Sequence, residues 1–193
     1  MSFSFFTCFV EATEAVTTSE TDTTTSETSN EATSDTATTE EPEIYKGDLY
    51  LLDTKVVMDK LVDGNVFILG QEVEITGQVN GSLFVCADKL SFNQCYVKNN
   101  IFACANSVYY NGACNDFYVV SSDDLEMTYD SYVVRDVKAL SSNLTLKAAI
   151  GRDADLFFDT INLGEGEDIP IIYGNLRYTA PSEVTIPEGI ITE

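Results

Sequence analysis

The stretch GNVFILGQEVEITGQVN (64–80), followed at once by GSLFVCADKLSFNQCYVKN (81–99), decides how this chain folds. Set on their opening glycines, the two segments place apolar residues at matching positions: Val66 and Ile68 with Leu83 and Val85, then Val73 and Ile75 with Leu90 and Phe92. Each pair alternates with period two, the mark of strands with one face turned inward. A single apolar residue, Val79 or Val97, closes each unit. Helix competes poorly, because the segments are rich in β-branched and aromatic residues and are broken by Gly and Asn every few positions.

Working outward, the opening signature Gly/Asn/Arg, then a short polar residue, then an apolar one recurs. Copies begin at Gly47, Gly64, Gly81, Asn99, Asn115, Arg135, Arg152 and Gly174, spaced by 17, 17, 18, 16, 20, 17 and 22 residues. The two long spacings imply insertions near 126–131 and 164–170. Apolar columns follow: Leu49, Val66, Leu83 and Ile101; Val56, Val73, Leu90 and Val108; Met58, Ile75 and Phe92; then Leu144 and Leu146 further along. A further column, at the third apolar site of the unit, runs through Val62, Val79, Val97, Val133 and Ile150. Gly, Asn and Asp between the pairs are expected to supply corners with positive φ.

One such unit cannot bury its own apolar face, but a stack of them can. The expected fold is therefore all-β: a single-stranded parallel β-helix, or β-solenoid, of about eight rungs with roughly 17 residues each. With strands about 4.8 Å apart the rod is roughly 38 Å long. Burial at about 1.5–3 kcal/mol per side chain, over some twenty residues, gives tens of kcal/mol against chain entropy.

The rungs 64–80 and 81–99 resemble the bactofilin family of bacterial polymer-forming cytoskeletal proteins, and the likeness extends more loosely from Gly47 to about Ile186. The resemblance implies a right-handed β-helix that polymerises end to end without nucleotide, often close to a membrane. The chain departs from the shorter cytoplasmic members by its long leader, and is more similar to exported or membrane-linked relatives of Gram-positive anaerobes.

That leader has two parts. Residues 1–12 contain the apolar run SFSFFTCFV (2–10), which reads either as the tail end of a signal peptide or as a short hydrophobic N-terminus. Residues 13–45 are dominated by Thr, Ser and Glu and cannot bury enough surface to offset chain entropy, so a disordered acidic linker is expected. The solenoid is then expected over 46–187 and a tail over 188–193. No run approaches the length that spans a bilayer.

Charge narrows the function. The chain carries 32 acidic and 10 basic residues, a net charge of −22 that argues against a nucleic-acid partner. Residues 1–45 hold ten of the acids and no base. There is no His, which removes the commonest general base and a common metal ligand. The five cysteines form no CxxC pair, so no zinc site is expected. Cys86 and Cys104 fall one rung apart at the same position, within disulfide reach, but side chains of one column point the same way and suit a bridge poorly. Stacked small apolar side chains are the preferred reading. Asp123 with Asp124, and Asp153 with Asp155, read as solvated loop or rim residues. Arg135 and Arg152 are expected to pair with Asp136 and Asp153 of adjacent rungs. No catalytic constellation, phosphate loop or cofactor motif emerges, so no enzyme, no cofactor and no metal is expected.

Function is expected on the outside. Between the inward positions lies an outward one reading Tyr50, Phe67, Phe84, Phe102 and Tyr118, then Lys138, Asp155 and Arg177. Beside it run Leu52, Leu69, Cys86, Cys104 and Val120. An apolar stripe of this size reads as an interface stripe, unless the leader covers it or the face turns inward. The rod ends, Gly47–Leu52 and the segment before Pro187, expose strand edges that recruit another copy. The expectation is a structural scaffold that polymerises with itself, associated with a membrane or placed in the cell envelope outside the cytoplasm, with a cytoplasmic location as the alternative. The competing reading is a surface-displayed module that binds a cell-wall glycan or a protein partner.

Overall fold

A computed structural model describes residues 44–192, apart from 165, 167 and 168. The hydrophobic N-terminus and the acidic linker up to residue 43 lie outside the described residues. Every regular element described is a β-strand, and every pairing between strands is parallel. The described residues form a β-solenoid, the architecture the repeat predicts, with about seven turns where about eight were expected.

The strands are β1 (Ile44–Lys46), β2 (Leu49–Met58), β3 (Leu61–Asp63), β4 (Val66–Ile75), β5 (Gln78–Val79), β6 (Leu83–Cys86) and β7 (Lys89–Met127), then β8 (Tyr132–Val133), β9 (Val137–Leu146), β10 (Ala149–Ile150), β11 (Ala154–Asn162), β12 (Ile171–Ile172) and β13 (Leu176–Thr179). The 39-residue β7 is not one straight strand but winds around the solenoid through several corners.

Three faces result. On the first, Leu49, Val66, Leu83 and Ile101 are successive register partners, and the column continues through Phe117, Val137, Ala154 and Leu176. On the second, Val56, Val73 and Leu90 stack, as do Leu125, Leu144 and Ile161. On the third, Tyr45, Val62, Val79 and Val97 align, followed by Cys114, Val133, Ile150 and Ile172. Val66, Leu83, Ile101, Val73, Ile75, Leu90, Val108, Leu144 and Leu146 are buried as expected, and Val56 with them. Leu49 is only half-buried, because it belongs to the first turn and nothing described lies beneath it. At mid-rod the interior holds Phe92, Tyr110 and Phe117 as an aromatic cluster, with Tyr110 and Phe117 stacked at 4.4 Å.

The corners differ from expectation. Gly64 and Gly81 do not have positive φ; a Cβ there would lie 2.2 Å from the Gly47 carbonyl oxygen and 2.3 Å from that of Gly64, respectively. Glycine is needed there for close approach of successive turns. Positive φ occurs instead at Gly47 (φ 99°), at Gly164, Gly166 and Gly189 near the far end, and, unexpectedly, at Gln94 (φ 54°). Gln94 sits where the 18-residue rung carries its extra residue, since two residues lie between Ile75 and Gln78 but three between Phe92 and Tyr96. The 20-residue rung divides its insertion. One extra residue makes a bulge between Val120 and Asp124, and the rest lies between Met127 and Tyr132.

The solenoid's limits also move. Ile44 already pairs with Leu61, two residues before the expected start. The expected tail is part of the body: Ile190 is buried, the Ile172 N–H donates to the Ile190 carbonyl (2.7 Å), and Thr192 N–H donates to the Ile172 carbonyl (2.9 Å). Ile191 thus continues the third face above Ile172.

A side-chain zipper reinforces the stack. At the second position of the signature, Asp48 Oδ1 accepts the Asn65 N–H (2.8 Å) and Asn65 Oδ1 accepts the Ser82 N–H (3.0 Å). Asp116, Asp136 and Asp153 likewise accept the N–H groups of Asp136, Asp153 and Asn175. Each satisfies a corner amide that the strand ladders leave free.

Candidate functional site

The first face is the one whose outside is apolar. Because side chains alternate along a strand, burying Leu49 and Leu51, or Val66 and Ile68, forces the residues between and after them outward. Tyr50, Phe67, Phe84, Phe102 and Tyr118 therefore form a continuous ladder, with ring centroids 4.8, 4.9, 4.9 and 5.1 Å apart and neighbouring planes within 15°. Beside it Leu52, Leu69, Cys86, Cys104 and Val120 make a second exposed column, which Leu140 and Phe157 prolong. Together they line an open trough of about 1210 Å³ running the length of the first face. Every residue assigned to the interface stripe lies in this trough. Phe67 and Tyr118 are half-buried within the ladder, while Tyr50, at its start, is 70% exposed.

The ladder's geometry limits its chemistry. Strand spacing holds each ring against the next, so the faces of Phe67, Phe84 and Phe102 are taken by their neighbours and only edges meet solvent. A sugar ring that packs on aromatic faces finds no such platform along the ladder. An apolar surface that lies flat across the edges does.

Past Tyr118 the same column becomes charged. Lys138 lies 4.0 Å from Asp155, and Arg177 Nη1 donates to Asp155 Oδ1 at 3.0 Å. The second face, by contrast, is polar outside: Lys55, Glu72 and Lys89 alternate in sign up one column, and alternate charges in register attract.

The rung-opening acids behave differently from expectation. Arg152 pairs with Asp136 as predicted, through Nε–Oδ1 at 2.8 Å and a second bond from Nη2 to Oδ2. Arg135 instead reaches down to Asp116, with Nε–Oδ1 at 3.2 Å and Nη2–Oδ2 at 2.8 Å. Asp153 is taken by Asn175 and lies 3.7 Å from Arg177. Hydrogen bonding from Arg152 holds the Asp136 carboxyl below the usual carboxylate range, and the Asn175 amide does the same for Asp153.

The described cysteines divide into two sets. Cys86 and Cys104 are exposed on the trough, in the outward column the repeat assigns to them, and are register partners on adjacent turns. Cys95 and Cys114 are buried beside Tyr110, whose hydroxyl donates to Cys114 Sγ at 3.2 Å. Burial pushes both thiols up to about 12, so they stay protonated and inert. Neither Asp116 as an acceptor nor the Tyr110–Cys114 contact was foreseen. Asp116 could have been found, because it occupies the same signature position as Asp136. Among the described residues no three His, Cys, Asp or Glu side chains are grouped to hold a metal ion, and no helix is long and apolar enough to cross a membrane. Comparison of the chain with family models, with curated proteins and with solved structures found no match.

Proposed function

We propose that this protein is a non-enzymatic structural scaffold whose solenoids assemble with one another into polymers near a membrane or the cell envelope, in the manner that the resemblance to bactofilins implies. The observation that carries this reading is the first turn. Val62 is fully buried, yet its partner Tyr45, pointing the same way, is 41% exposed, and Leu49 and Leu51 are half-buried where Val66 and Ile68 are buried. Among the described residues the apolar columns thus run out to an open strand edge, and a second copy set against it gains both ladder hydrogen bonds and apolar burial.

The opposite end is different. Ala180, Val184, Ile186 and Ile190 pack over the last turns, so stacking through that end is weaker than the repeat alone suggests. The trough supplies a second kind of contact. Two self-associating surfaces on one rod, the first turn and the aromatic ladder, join copies without closing a ring and so build an open-ended assembly.

Negative-stain electron microscopy and sedimentation velocity on purified full-length protein at rising concentration test this. Filaments or ribbons are expected, and Phe84→Glu, which puts a charge mid-ladder, should reduce them to pairs of rods without unfolding the protein. Single rods at every concentration would overturn the proposal.

A further inference from the structure

Cys86 in β6 and Cys104 in β7 are register partners on adjacent parallel turns, both exposed on the trough. Adjacent strands hold such partners about 4.8 Å apart at Cα, inside the range a disulfide spans. The neighbouring pair Phe84 and Phe102, two residues back on the same strands, stacks at 4.9 Å and shows that the two turns are not splayed here. We propose that Cys86 and Cys104 are a redox-active dithiol that closes into a disulfide between successive turns by exchange with a small-molecule disulfide. The idea does not depend on assembly, since it needs only two turns in register.

The exchange balances in two steps. The Cys104 thiolate attacks one sulfur of the incoming disulfide, forming a mixed disulfide and releasing one thiolate. Cys86 then loses its proton and attacks the Cys104 sulfur, forming the Cys86–Cys104 bond and expelling the second thiolate. The small molecule is reduced to two thiols, and the protein loses two hydrogens. Partial burial, and then the adjacent Cys104 thiol, push the Cys86 thiol up, which suits it to the second, resolving role. Proximity makes that second step intramolecular, so it outruns a second encounter with the reagent.

The bond should be a labile one. The two Cβ atoms point the same way from the sheet and sit at strand spacing, wider than the usual Cβ separation of a disulfide, so closure strains the turns and leaves the bridge easily reduced. Cys95 and Cys114 cannot substitute, being buried and protonated. Closure also clears the bulky polar adduct from the apolar trough.

Reduced full-length protein, freed of reductant and treated with oxidised glutathione, should lose two hydrogens by intact mass. Peptide mapping without reduction should give a cross-link between the peptides bearing Cys86 and Cys104, reversed by a mild thiol. In Cys86→Ser, with circular dichroism unchanged, a glutathione adduct on Cys104 should persist instead. Adducts on both cysteines of the wild type without a cross-link, or a cross-link to any other cysteine or between copies, would overturn the assignment.

Discussion

Asp116 ties two turns of the rod together through one buried carboxylate. Its carboxylate is buried, it receives two hydrogen bonds from Arg135, and it also accepts the Asp136 N–H at 3.1 Å. Replacing it by Ala strands a backbone donor and half of a charge pair. Arg135 is half-exposed and recovers water, so the expected loss is about 2 kcal/mol, read from denaturant unfolding. The same change at Asp136, which is more exposed, should cost less. The buried thiols make a second prediction. A thiol ionises near pH 8.5 in an unfolded chain, whereas burial moves Cys95 and Cys114 to about 12. Between those values the unfolded chain binds fewer protons, so stability falls as pH rises through that window and is unaffected below it. Melting temperature should drop from about pH 8.5 upward, and less steeply in the Cys95→Ala/Cys114→Ala variant. At this scale the sequence was only partly legible. Inward and outward residues follow from alternation, but a long side chain such as Arg135 can take either of two rungs, and only the corner geometry selects Asp116 over Asp136.

Among elements, the strand registers were the most legible feature. Val66 over Leu83 and Ile101, or Val73 over Leu90, can be read directly, because a slip by one residue turns an entire apolar set outward. The corners were not, because the repeat records how many residues a turn holds but not where the surplus sits. Hence the left-handed Gln94 and the bulge after Val120 escaped notice. The glycines illustrate two separate constraints. Gly81→Ala would press a methyl group against the Gly64 carbonyl oxygen, 2.3 Å away, and should destabilise by about 1–3 kcal/mol in thermal or denaturant unfolding. Gly47→Ala meets no atom within 4 Å and suffers only from its φ of 99°, so about 1 kcal/mol is expected. A larger effect at Gly47 than at Gly81 would contradict this division.

For the solenoid body as a unit, the two ends are unequal, and that asymmetry was hidden in a segment read as a tail. Pro187-Glu188-Gly189, with Gly189 at φ 87°, turns the chain so that Ile190, Ile191 and Thr192 meet Ile172. The apolar pair 190–191 resembles Ala149–Ile150 and Ile171–Ile172 and was the available signal. Ile190→Ala should cost about 2–4 kcal/mol. Because each turn touches only its neighbours, the loss should be local, with hydrogen exchange rising first in 171–192 while the middle turns keep their protection.

The carboxylate and amide zipper runs in one direction. Asp48 receives Asn65, Asn65 receives Ser82, Asp136 receives Asp153, and Asp153 receives Asn175; in each case the acceptor lies earlier in the chain than the donor it satisfies. A ribosome delivers residues in that same order. As the nascent polypeptide emerges, the coils opened at Asp48, Asn65, Asp116, Asp136 and Asp153 already hold out the oxygen that an amide of the following coil needs, so winding can keep pace with synthesis.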